Sequence, residues 1–167
     1  SRLTKTAGTE ENPTFSPDGR RVAFTRDGNL FVVDVATAAE RAVTSGGGTR
    51  LLNGRLDWVY EEELYGRGNT RGYWWSPDSS ALAFLQLDET PVPDFTIVDH
   101  IPYRLDLQTW PYPKAGDANP TVRLGVVGAG GGAVTWMDPG QHATDLLIVN
   151  VAWHPGGRSV FFQVQNR

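Results

Sequence analysis

The sequence predicts an all-β fold: a partial β-propeller of about two and a half blades of four-stranded antiparallel sheet, with a short inserted helix near 58–65. Three observations carry this. A turn-and-strand motif repeats three times, as "FSPDGRRVAF" (15–24), "WSPDSSALAF" (75–84) and "WHPGGRSVFF" (153–162). The chain holds 19 Gly and 11 Pro among 167 residues, so turns are frequent. Its apolar runs, such as "LFVVDV" and "LLIVNVAW", are strand-length and far short of the roughly 20 residues a spanning helix needs.

Each repeat reads aromatic, small or polar residue, Pro, two turn residues, two more positions, then an apolar strand ending in Phe. Pro presets φ for a tight turn, and Asp or Gly tolerates the geometry that remains. The repeats start at 15, 75 and 153, wider than the about 40–50 residues of an ordinary blade, so insertions must separate them. Around the first repeat, strands are expected at 10–15, 20–26, 29–35 and 40–44, a complete four-stranded unit. "SGGGT" (45–49) reads as a flexible connection. "DWVYEEELYG" (57–66) lacks period-2 alternation and reads as a short helix, with Asp57 as N-cap and Gly66 as stop. A second unit spans about 73–138 and carries an irregular insertion from Gln86 to Pro120. Within it "GVVGAGGG" (125–132) reads as a Gly-rich hairpin rather than a dinucleotide loop, because "AVTWMD" after it is a strand. A third unit, 145–167, is incomplete. The chain starts mid-pattern at "SRLTKT", as an excised piece would. Strand Val160–Val164 should offer an open edge, and "LFVVDV" and "VFFQV" should expose apolar inter-blade faces. Homo-oligomers through open sheet edges are the expected consequence. A small β-sandwich is the competing fold, and three repeats in one order of features argue against it.

Composition narrows the function. The net charge is −4, which argues against nucleic acid as a partner. Cysteine is absent, so thiolate metal sites and disulfides are excluded. His100, His142 and His154 lack the mutual spacing of a zinc site, and His154 fills a turn position. No metal and no cofactor are expected. The notable chemistry is Glu61, Glu62 and Glu63, three consecutive carboxylates among Trp58, Tyr60 and Tyr65, with no Lys or Arg between Asp57 and Gly66.

"DWVYEEELYG", then "WWSPDSSALAFLQLDETPVP" (74–93), then "WPYPKAGDANPTVRLGVV" (110–127) resembles the N-terminal propeller of the dipeptidyl peptidase IV family, prolyl-oligopeptidase-type serine peptidases. The likeness runs over roughly 10–165. SPDG turns alone occur in many propellers, whereas "WVYEEE" followed by "WWSPD", and "YPKAGDANPTV", are specific. The resemblance implies that the second and third glutamates, Glu62 and Glu63, hold the free α-ammonium at a peptide N-terminus. Trp58, Tyr60 and Tyr65 read as packing that fixes the helix, and Glu61 as a supporting residue, structural or solvent-facing. An ammonium has three N–H donors and no acceptor, and each charge-assisted bond to a carboxylate contributes roughly 1.5–3 kcal/mol. With the ammonium pinned, the scissile carbonyl lies two residues away, and dipeptides are released, after Pro or Ala in this family. A blocked N-terminus would leave two carboxylates desolvated and unpaired.

The resemblance also implies a C-terminal α/β-hydrolase domain carrying Ser, Asp and His. None of the seven serines here lies in a "GxSxG" elbow, so this chain carries no catalytic residue and should be inactive alone. A carbonyl-binding arginine that the family places upstream of this motif is not assigned to any Arg of this sequence. A periplasmic or secreted location follows from the resemblance. Two alternatives stand beside this reading. One is a stand-alone propeller-like interaction module. The other is a related endopeptidase, against which the double glutamate argues, since an endopeptidase has no ammonium to bind.

Overall fold

The computed structural model describes residues 2–142 and 145–166; Ser1, Ala143, Thr144, Arg167 and the side chain of His142 lie outside it. Strands β1 (Glu11–Phe15), β2 (Arg21–Arg26), β3 (Asn29–Asp34) and β4 (Glu40–Ala42) form one antiparallel sheet in sequence order. These are the four strands expected from the first repeat, shortened by a residue or two at their ends.

The second sheet is built around β7 (Ala81–Asp88), which pairs with β10 (Thr121–Gly128), itself paired with β11 (Thr135–Trp136). The other edge of β7 takes two short strands end to end. β5 (Leu51–Asn53) pairs with Gln86–Asp88, and β6 (Tyr73–Trp75) pairs with Leu82–Phe84. Gly54 donates to the Leu85 carbonyl and Leu85 donates to that of Gly72, so the ladder continues across the gap. β5 and β6 are thus one strand, and residues 55–71 are looped out of its middle. The second sheet therefore takes in 51–53, ahead of the start at 73 that the repeat pattern suggests. Leu51–Asn53 is too short a run to register as a strand by period alone.

The remaining strands form two hairpins. β8 (Asp94–Asp99) pairs with β9 (Asp106–Pro111), inside the stretch that reads as irregular. β12 (Leu146–Trp153) pairs with β13 (Val160–Asn166).

Packing is blade on blade. Along β7, Leu82 and Phe84 face the first sheet with Ala23, Leu30, Val32 and Val127. Ala83, Leu85 and Leu87 face β12, with Val122, Leu124, Ile148 and Val151. A strand covered on both sides reads as a continuous apolar run, which is why "ALAFLQL" lacks alternation.

The three repeat turns share one bonding scheme. Ser16, Ser76 and His154 each donate their backbone N–H across the turn, to Arg21, Ala81 and Ser159, and accept from the residue three positions on. Asp18 and Asp78 each accept from the preceding serine hydroxyl at 2.6 Å; at the third turn Nδ1 of His154 accepts from the Gly156 amide at 3.0 Å.

Two expectations change. "SGGGT" is not a loose connection: a Cβ at Gly47 would collide with the carbonyl of Gly28, and the Gly47 amide donates to Asn29 at 3.1 Å. Gly47 permits this close backbone approach to Gly28. Nor does "LFVVDV" expose most of its apolar face: Leu30, Val32 and Val33 are 0–3% exposed, and only Val35 at its end reaches 37%. Leu3 packs over Val22, Phe24 and Val33, and the Arg26 guanidinium lies 4.2 Å from the Phe31 ring centre while pairing with Glu10 and Glu40. The N-terminal segment thus covers a face that a blade pattern alone leaves open. On β13, Phe161 is 59% exposed.

Candidate functional site

The acidic run lies at the tip of the looped-out segment. Tyr60–Leu64 forms a single π-helical turn, closed by the Tyr65 amide donating to the Tyr60 carbonyl at 2.8 Å. An i→i+5 turn is rare and recurs at functional sites. Asp57 caps it as the sequence assigns: its Oδ2 and Oδ1 accept from the Val59 and Tyr60 amides at 3.2 and 3.1 Å. Burial pushes the Asp57 carboxyl above its ordinary pKa, and these two amide bonds oppose that rise. Gly66, at φ +99, ends the turn in a conformation that side chains disfavour.

The turn is held from below by residues distant in sequence. Leu56, Val59 and Tyr60 are buried in the seam between the second sheet and β12. The Tyr60 hydroxyl accepts from the Ile148 amide at 3.2 Å, and the Tyr65 hydroxyl donates to the Ile148 carbonyl at 3.1 Å. Trp58 packs on Tyr112 at 4.3 Å between ring centres, and Tyr112 on Phe95 at 5.5 Å. The two specific motifs, around 58 and around 112, therefore touch at their roots.

The three glutamates differ in surroundings. Glu61 turns back, its Oε1 accepting from the Gly68 amide at 3.0 Å. Glu62 is partly buried, 23% exposed at its side chain, and pairs with Nε of Arg67 at 2.7 Å. Arg67 itself is 84% exposed. Glu63 is exposed. Thus one carboxylate is committed to the loop, one faces a loosely held cation, and one is open to solvent. Sequence reasoning missed Arg67, although its position five residues past Glu62 matches the i→i+5 geometry. It also missed Glu89, 6% exposed, whose carboxyl is pushed up to about 7 by burial and then by the Asp57 charge, against the pull of Arg50 and Arg55. Its sequence context, "QLDETP", carries no sign of burial. Among the described residues no group of acidic or histidine side chains is arranged to hold a metal ion.

Comparison with known proteins gives the family. A profile of the dipeptidyl peptidase IV (DPP IV) N-terminal region matches residues 1–167. A probable dipeptidyl peptidase 4 of Aspergillus fumigatus is 38% identical over 166 residues, 92% of this chain and 21% of the relative. A probable dipeptidyl-aminopeptidase B of Arthroderma benhamiae is 40% identical over 126 residues, 66% of this chain and 13% of the relative. The crystal structure of Porphyromonas gingivalis dipeptidyl peptidase 4 superposes with a TM-score of 0.88 at 35% identity, covering 98% of this chain and 23% of that one. The chain spans about a fifth of the length of the curated dipeptidyl peptidase 4 relative. With the blade-like sheets, the looped-out acidic turn and these matches together, the chain belongs to the dipeptidyl peptidase IV N-terminal region family.

Proposed function

We propose that the chain forms part of the substrate-gating propeller of a serine exopeptidase that releases dipeptides from free N-termini after Pro or Ala, and that Glu62 and Glu63 hold the substrate's α-ammonium. The hydrolase domain that would supply the nucleophile is a further part of this proposal. The observation that carries the reading is the division of labour in the turn. Tyr60 and Tyr65 face the inter-sheet seam, Glu61 is spent on the Gly68 amide, and Glu62 and Glu63 remain for a ligand. Glu62 already holds a cation, the Arg67 guanidinium, in its exposed pair. An incoming ammonium replaces that contact with a charge-assisted bond of its own.

Steady-state kinetics of the full-length protein test this. Glu62→Gln or Glu63→Gln lowers kcat/KM on a free-amine dipeptidyl substrate at least about tenfold, roughly 1.4 kcal/mol. Glu61→Gln has a much smaller effect. Equal losses from all three, or an N-acetylated substrate turned over as fast as the free amine, contradict the assignment.

A further inference from the structure

Two phenols lie beneath the acidic turn. Tyr60 and Tyr65 are five residues apart, and the π turn brings them to one side with ring centres 6.1 Å apart and planes 26° from parallel. An α-helical turn repeats every 3.6 residues and would set the fifth residue well round the axis. Both hydroxyls converge on one residue: the Ile148 amide donates to Tyr60 and the Ile148 carbonyl accepts from Tyr65. Ile148 is 1% exposed, and the β12–β13 register shifts between it and Asn150. Two side chains thus take the N–H and C=O of one peptide position, much as a neighbouring strand would. A second bond crosses the same seam, from the Trp153 indole to the Trp74 carbonyl at 3.0 Å, and Trp74 lies 6.0 Å from Tyr65.

We infer that Tyr60 and Tyr65 are positioning residues that fix Glu62 and Glu63 by clamping the π turn to Ile148 of the neighbouring sheet. This rests on the ammonium-binding reading above. The acid pair belongs by sequence to one sheet and is aimed by another, so its geometry depends on the seam between them. Burial keeps both phenols well above their ordinary pKa, so neither ionises near neutral pH and the Tyr65 donor is retained.

Tyr65→Phe tests this in the full-length protein. It keeps the ring and the stacking and deletes only the donor. The expected result is a rise of about five- to tenfold in KM for a free-amine dipeptidyl substrate, as one hydrogen bond's worth of positioning is lost, with kcat changed less than about twofold. Amide exchange of residues 61–68 accelerates, while that of β2 and β7 stays as in the parent protein. Tyr65→Ala gives the same split, larger. An unchanged KM with unchanged exchange at 61–68 overturns the inference. So does a fall in kcat alone. The two readings fail separately. If Glu62→Gln and Glu63→Gln leave the preference for a free amine intact, the ammonium site is wrong. If they abolish it while Tyr65→Phe does nothing, only the clamp is wrong.

Discussion

The repeat turns and the acidic turn are built on opposite plans. In the turns at 16–21, 76–81 and 154–159 the bonds that close each turn span two to five residues, so the sequence that makes the turn also closes it. The acidic turn has a local cap in Asp57, but its anchors are 83 and 88 residues away. The first kind of structure can be copied along a chain with few changes. The second holds only when another sheet is in place, and this suits a segment whose side chains must be aimed rather than merely exposed.

Tyr60→Ala breaks the long-range side of the comparison and carries the largest expected effect on stability. Tyr60 is fully buried in the seam. Its loss removes the ring and leaves the Ile148 amide without its acceptor, a cost of about 3–5 kcal/mol. Scanning calorimetry of the full-length protein should show the propeller transition lowered by many degrees. A shift as small as that of a surface substitution would mean the seam does not hold the turn.

Glu89 sharpens the comparison, because its burial too comes from packing at the root of the looped-out segment. Its carboxyl titrates near 7 in the folded chain against an ordinary 4.5, raised by burial and by Asp57 and Asp88 and lowered by Arg50 and Arg55. A raised carboxyl pKa means the fold binds this proton more tightly than the unfolded chain does. Its contribution is therefore complete below about 4.5 and is lost as pH rises through about 7, by at most about 3 kcal/mol. Glu89→Gln should raise the melting temperature at pH 8 and leave it nearly unchanged at pH 4. A gain of equal size at both values would contradict the shift.

The smallest effect belongs to the local side. Gly19 and Gly157 occupy a left-handed position, φ +70 and +71, where the second repeat has Ser79 at φ +64. Ser79 keeps a bond that glycine could not make: its hydroxyl accepts from the Asp18 amide at 3.0 Å and ties the first two repeat turns together. Ser79→Gly relieves about 1 kcal/mol of backbone strain and forfeits a hydrogen bond of similar worth, so stability should change by less than about 0.5 kcal/mol. A large loss in thermal melting would mean that the inter-turn bond outweighs the relief of strain.

The same contrast explains what could be read from the sequence. The first sheet was legible strand by strand, since its pairings are consecutive and its turn residues announce themselves. So was the capped acidic turn, because Asp57 and Gly66 act locally. The interrupted strand was not, since β5 and β6 become one strand only against β7. The β8–β9 hairpin was hidden by its exposure: Ile97 and Leu107 are apolar yet 47% and 64% exposed, so no buried face marks the alternation a strand would show. Gly47 read as part of a linker because its close approach to the Gly28 backbone leaves no side-chain signature. At the site, the motif pointed to Glu62 and Glu63, while the Arg67 pair and the Ile148 anchor exist only in three dimensions.

The most direct test of the central claim is a structure of the full-length protein with a free-amine dipeptide bound. The dipeptide nitrogen should lie within about 2.7–2.9 Å of carboxylate oxygens of both Glu62 and Glu63. Arg67 should be displaced from Glu62, Glu61 should remain on the Gly68 amide, and both tyrosines should remain on Ile148. A dipeptide whose nitrogen touches neither Glu62 nor Glu63, with Arg67 still paired to Glu62, would contradict it.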